Sequence, residues 1–90
     1  MRPLRLLLVD DEAPARARLR DLLADLAGEL PSTVVAEAGD GVAALECIDR
    51  LEPGGVDIAV VDIRMPRMDG IELAQHRARL PRPPALIFAT

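Results

Sequence analysis

Lysine, tryptophan and tyrosine are absent from this chain of 90 residues, and phenylalanine, cysteine and histidine occur once each. With Phe88 as the sole aromatic residue, the interior must be built from Leu, Val, Ile and Ala, in a chain that is 50% hydrophobic. The single cysteine, Cys47, excludes an intrachain disulfide and fits a reducing compartment. Long apolar runs are missing too. The first run, Leu6 to Val9, is too short for a signal-peptide core or a membrane helix, so the expected location is the cytoplasm, away from membranes. There is no basic excess: all 11 cations are arginines and the formal net charge is −4. That charge argues against direct binding to a nucleic-acid backbone, which needs a basic face. Internal repeats and low-complexity segments are also absent, and the length suits one small domain.

What is present alternates. Leu4 to Val9 is a compact apolar run stopped by Asp10-Asp11-Glu12, as expected of a buried strand. Ala13 to Ala27 carries Leu19, Leu22, Leu23 and Leu26 at helical spacing, with Pro14 suited to the first turn and Gly28 to a stop. Val34 to Ala36 reads as a strand leading into the turn Gly39-Asp40-Gly41. Val42 to Leu51 is a helix through Val42, Leu45 and Ile48, ended by Pro53-Gly54-Gly55. Ile58 to Val61 is a buried strand between Asp57 and Asp62, followed by a loop from Arg64 to Gly70. Ile71 to Leu80 reads as a third helix with Ile71, Ala74 and Ala78 inward, closed by Pro81, Pro83 and Pro84, and Ala85 to Ala89 is a fourth strand. The order βαβαβαβ predicts an α/β fold: a parallel sheet with right-handed crossovers and helices on both faces.

Asp10, Asp11 and Asp62 stand where the first and third apolar strands stop. Ligands of open α/β sheets bind beyond the carboxyl ends of the strands, at the point where the strand order reverses. If strands one and three are neighbours, the three acids converge there. An acid at a strand end is ordinarily just a soluble terminus. Three at two adjacent ends would repel one another, and a hard cation relieves that repulsion. Mg²⁺ suits oxygen ligands, keeps several waters, and can then neutralise phosphoryl oxygens.

The residues around these acids resemble a known family. Leu7-Leu8-Val9-Asp10-Asp11-Glu12 is similar to the opening acidic motif of response regulator receiver domains. Asp62-Ile63-Arg64-Met65-Pro66-Arg67-Met68-Asp69-Gly70 is similar to their phosphoacceptor strand and loop. Gly39-Asp40-Gly41 with Ala43-Ala44-Leu45 resembles their turn into the second helix, and Ile87-Phe88-Ala89-Thr90 the end of their fourth strand. The resemblance implies a flavodoxin-like (CheY-like) doubly wound sheet with strands in the order 2-1-3-4. It implies that Asp62 accepts a phosphoryl group from a sensor histidine kinase, and that Mg²⁺ is held by Asp10, Asp11, Asp62 and the main-chain carbonyl of Arg64. Thr90 takes the place of the switch hydroxyl, Pro66 and Gly70 shape the loop, and a DNA-binding output domain, absent here, regulates transcription. The opening segment from Arg5 to Arg16 resembles the subgroup that carries a LytTR-type output domain.

The departure from the pattern is at the far end. Receivers continue into a fourth helix, a fifth strand ending in a phosphoryl-contacting lysine, and a fifth helix. This chain stops at Thr90, has no lysine, and is expected to lack those elements. The uncharged strand Ala85 to Ala89 would then be an open edge, where a homodimer or a swapped oligomer is expected. Two other functions compete with the phosphoacceptor reading. A Mg²⁺-dependent aspartyl-phosphate phosphohydrolase usually has a second acid two residues after its nucleophile, and Asp62-Ile63-Arg64 lacks one. A receiver fragment unable to switch would serve as an interaction module. On this reading the chain is not an enzyme in the ordinary sense. His76 reads as an exposed helix residue, Cys47 as a buried inert thiol, Met65 and Met68 as loop packing, and Arg16, Arg18 and Arg20 as a solvated stripe on the first helix.

Overall fold

The computed structural model describes residues 2–51, 54–62, 75 and 83–89. Within them the chain forms β1 (Leu4–Val9), α1 (Ala13–Asp25), β2 (Ser32–Ala38), α2 (Gly41–Arg50), β3 (Ile58–Asp62) and β4 (Ala85–Ala89). The strands make a four-stranded sheet in the order β2-β1-β3-β4, and every pairing is parallel. This is the flavodoxin-like order expected from the sequence. From β1 the chain moves outward to β2, then crosses back over β1 to β3, so the winding reverses between β1 and β3. The expected third helix, Ile71 to Leu80, lies outside the described residues except for Gln75, which is helical and exposed.

The apolar run of β1 sits at the centre because only an inner strand covered on both faces can hide four consecutive residues. Leu6, Leu7, Leu8 and Val9 are all buried. Leu7 and Val9 join Ala38, Ala44, Val56, Ala59 and Val61 in one core cluster, against which Val42, Leu45, Cys47 and Ile48 of α2 pack. Successive strand residues turn to opposite faces, so Leu6 and Leu8 face the α1 side. Each large side chain so buried is worth about 1.5–3 kcal/mol.

β2 carries the one irregularity of the described sheet. Leu6 pairs with Val34 but Leu7 pairs with Ala36, so Val35 is an inserted bulge residue. Without it, Val34, Ala36 and Ala38 would share one face. With it, Ala36 and Ala38 face the α2 core while Val34 and Glu37, three residues apart, both turn toward α1. The expected strand, Val34 to Ala36, is therefore longer than read, because the bulge breaks the two-residue period that marks a strand in sequence.

The two helices differ. Asp40 caps α2: its Oδ1 accepts from the Ala43 N–H at 2.8 Å, and Gly41 and Ala44 are buried. Helix α1 has no side-chain cap at Glu12, carries its proline in the first turn, and buries no residue. Leu19 and Leu23 are half-buried, whereas Leu22 is 54% and Leu26 37% exposed. Of the four leucines at helical spacing, two are thus turned inward. The reason is geometric: among the described elements α1 packs on the outer strand β2, which is too narrow to cover a wide stripe. The helix also ends at Asp25, before the expected stop at Gly28. Leu26 closes it with φ −92° and ψ 0°, and a run of turn residues follows. Cys47 is half-buried rather than buried, because α2 presents it at the margin of the core.

Candidate functional site

The reversal of winding leaves the carboxyl ends of β1 and β3 side by side, with Val9 paired to Val61. The next residues are Asp10 and Asp62. One carboxylate oxygen from each of Asp10, Asp11 and Asp62 lies within 4.8 Å of the other two. Asp10 and Asp62 are half-buried and Asp11 is exposed. The structure therefore brings together the three acids singled out in the sequence. Arg64, Thr90, Pro66, Gly70, Met65, Met68 and His76 lie outside the described residues.

The backbone around Asp10 is held from three sides. Its N–H donates to the Ala38 carbonyl at 3.0 Å, its Oδ1 accepts from the Glu12 N–H at 2.9 Å, and its carbonyl accepts from Arg16 Nη1 at 2.5 Å. The first bond continues the ladder with β2 by one step. The second makes a tight turn that throws Asp11 outward and starts α1. Asp62 is the last residue of β3 and pairs in register with Ala89. Each acid is thus placed by a strand end or by the turn that leaves it, and none depends on a long flexible arm.

Three carboxylates this close cost energy. Two unit charges 4 Å apart repel by about 1 kcal/mol in water and about 4 kcal/mol near a protein surface. A cation reverses the sign of that interaction. The donors are hard oxygens with no cysteine or histidine among them, which selects Mg²⁺-like ions over zinc. The cluster reaches solvent through Asp11, which is exposed.

Sequence reasoning missed three participants. Arg16, expected to be solvated, has a side chain only 20% exposed; its Nε donates to Glu37 Oε1 at 3.0 Å while Nη1 holds Asp10. Arg20 pairs with the other oxygen of Glu37. Glu37 was hidden by the bulge, which no two-residue pattern reveals. At the opposite end of the sheet, Asp57 accepts the Arg5 N–H at 2.8 Å and forms ion pairs with Arg5 and Arg2, each at 3.4 Å. Its own N–H returns to the Arg5 carbonyl at 2.8 Å. The backbone bond from Arg5 and then the bond from its guanidinium hold the carboxyl below the usual 3.8; burial opposes them, and the charges of Arg5 and Arg2 add the smallest lowering effects. The signal was available: an arginine inside an apolar strand run needs an acid, and Asp57 immediately precedes the neighbouring strand. Arg5 also donates to the carbonyl of Gly54, whose φ of 79° lies in the left-handed region that glycine adopts without strain.

The family model described as the response regulator receiver domain matches residues 6–90. The chain belongs to that family. It is 44% identical over 89 residues to the positive alginate biosynthesis regulatory protein of Pseudomonas aeruginosa, covering 97% of this chain and 33% of that protein. A two component transcriptional regulator from Clostridium phytofermentans is 34% identical in its crystal structure, with a TM-score of 0.77 over 94% of this chain and 64% of the other. The R. sphaeroides complex of the P1 domain of CheA3 with CheY6 matches at 32% identity and a TM-score of 0.75, covering 98% of this chain and 64% of the matched one. The chain spans about a fifth to a third of the length of the curated relatives it matches. No helix among the described residues is long and apolar enough to cross a membrane.

Proposed function

We propose that this receiver accepts a phosphoryl group on Asp62 and that Asp10, Asp11 and Asp62 hold the Mg²⁺ that the transfer requires. The observation that carries the reading is the convergence of those three carboxylates at the reversal point of the sheet. Asp62 is the acceptor of choice because it ends β3, an inner strand paired on both sides, which sets where its carboxylate stands. The donor is a phosphohistidine of a sensor histidine kinase, a partner supported by the likeness to the CheA3–CheY6 complex. As the Asp62 oxygen forms its bond to phosphorus, the P–N bond breaks and the imidazole leaves with the electron pair, taking a proton from solvent. Bound Mg²⁺ supplies charge neutralisation at the phosphoryl oxygens. Asp11, exposed and carried by the turn, would offer its carboxylate to the ion, while Asp10, held by three hydrogen bonds, would contribute from a set position. The Arg64 carbonyl and the Thr90 hydroxyl complete the set by resemblance. The output is control of transcription in the cytoplasm, in keeping with the transcriptional regulator among the structural matches.

Incubation with a small phosphodonor and Mg²⁺, followed by intact mass, tests the reading. Wild type should gain one phosphoryl mass that hydroxylamine removes, and Asp62→Asn should gain none. A wild type that stays unmodified, or an Asp62→Asn variant that is modified equally, would overturn it.

A further inference from the structure

Of the three hydrogen bonds that hold Asp10, two come from its immediate surroundings and one comes from a helix. Arg16 lies in the second turn of α1, and its guanidinium spans two acceptors, the Asp10 carbonyl at 2.5 Å and Glu37 Oε1 at 3.0 Å. We propose that Arg16 is a positioning residue for the carboxylate site: by tying α1 to the Asp10 peptide and to β2, it sets where Asp10 and Asp11 present their oxygens to a divalent cation. This inference rests on the cation-binding reading above.

The geometry is specific to this arginine. Arg18 is exposed, and Arg20 reaches only Glu37 from a side chain that is 45% exposed. A planar guanidinium reaches two separated acceptors from two nitrogens, Nε and Nη1, held apart in one rigid fork, whereas the three donors of an ammonium all radiate from a single atom. The second acceptor exists because the Val35 bulge turns Glu37 toward α1. Glu37 also offsets the positive charge of Arg16, so that a guanidinium can stand beside a cation site without opposing the cation. The turn between β1 and α1 is short: Asp10 follows the last strand residue, Asp11 is exposed, and Glu12 stands at the N-cap position of the helix. A bond that fixes the Asp10 peptide therefore fixes the start of the turn that carries Asp11.

Positioning and simple electrostatics predict opposite signs. If Arg16 acted only as a nearby positive charge, its removal would tighten cation binding. If it positions the carboxylates, its removal weakens binding despite the charge change. Mn²⁺ binding followed by water-proton relaxation, with Mg²⁺ as competitor, separates the two. Arg16→Gln is expected to weaken Mn²⁺ binding by about three- to tenfold, the range of one or two hydrogen bonds. Arg16→Lys, which keeps the charge but not the double reach, should fall between that variant and wild type. Glu37→Gln should weaken binding in the same direction, and it guards against an Arg16→Gln protein that fails to fold. Arg16→Gln binding Mn²⁺ as tightly as wild type or more tightly, while Asp11→Asn loses it, would overturn the positioning role alone. With Arg16→Gln unfolded, wild-type affinity in both Arg16→Lys and Glu37→Gln would do the same. A wild type without Asp11-dependent Mn²⁺ binding would overturn the cation reading and this inference with it.

Discussion

At the amino-terminal end of the sheet Asp57 sits between Arg2 and Arg5; at the carboxyl-terminal end Asp10, Asp11 and Asp62 sit against one another. The two ends are joined by the same strand, β3, which Asp57 precedes and Asp62 closes. Five residues of extended chain separate these acids by roughly 16 Å, which is more than the screening length of about 8 Å at physiological salt. The arginines at one end therefore do little for the acids at the other. An acid matched by cations and backbone donors fastens strands together. Acids gathered against one another repel, and on the proposed reading they serve to bind a cation. Residue type alone does not separate the two roles; the partner set does.

The largest expected effect comes from removing what the two ends share. Leu7 is fully buried between them in the central strand, packed with Ala59 and Val61. Leu7→Ala should cost about 2–5 kcal/mol of unfolding free energy by lost transfer and the cavity left behind, a large part of the roughly 5–15 kcal/mol that holds a domain. Urea unfolding would measure it. A loss below half a kilocalorie would mean that β1 is not the keel of the sheet.

A crossed pair of substitutions comes next. Asp11→Asn should lower Mg²⁺ affinity by about tenfold or more, equivalent to about 1.4 kcal/mol, while leaving the metal-free protein as stable as wild type or more so, because one repelling charge is gone. Asp57→Asn should do the reverse, destabilising the fold with no change in Mg²⁺ affinity. Titration of both variants beside their denaturation curves is the check. If Asp57→Asn altered affinity as much as Asp11→Asn, the two ends would be coupled and the comparison would fail.

The carboxyl-terminal end was legible before the structure because strand-end acids after apolar runs are visible in one dimension, and the parallel order follows from alternation of strands and helices. Asp10, Asp11 and Asp62 needed only the adjacency of β1 and β3, which the winding supplies. The amino-terminal end was less legible because its logic is pairwise across 52 residues, Arg5 with Asp57. The α1 face was only partly legible, for a different reason. Spacing showed that Leu19, Leu22, Leu23 and Leu26 recur at helical intervals but not how wide the neighbouring surface is, and Leu22 and Leu26 are exposed. Arg16 was read as solvated for want of Glu37, whose facing depends on an inserted residue, Val35. Local patterns reveal what a segment prefers; bulges and distant partners are settled only when the segments meet.

The smallest expected effect is a slope rather than a shift, and it belongs to Asp57. Its carboxyl is held below the usual 3.8 first by the Arg5 N–H, then by the Arg5 guanidinium, with the charges of Arg5 and Arg2 contributing least. A folded-state value below the unfolded one means that the unfolded chain takes up its proton first as the pH drops. The stabilisation is therefore fully present at neutral pH, begins to fade as the pH falls toward 3.8, and is gone once the pH passes below the folded value. Asp57→Asn should lower stability at neutral pH and flatten the acid limb of the stability curve, so that variant and wild type converge in strong acid. Arg2→Gln should change the limb much less, because the Arg2 side chain is 65% exposed and water screens its charge. Added salt should erode the Arg2 contribution before that of the Arg5 N–H, which donates a short directional bond from within the ladder. Denaturation curves from neutral pH down into the acid range, at low and high salt, measure all three. An Asp57→Asn curve parallel to wild type throughout would show that the latch is not ionic, and that the contrast between the ends rests on backbone bonding alone.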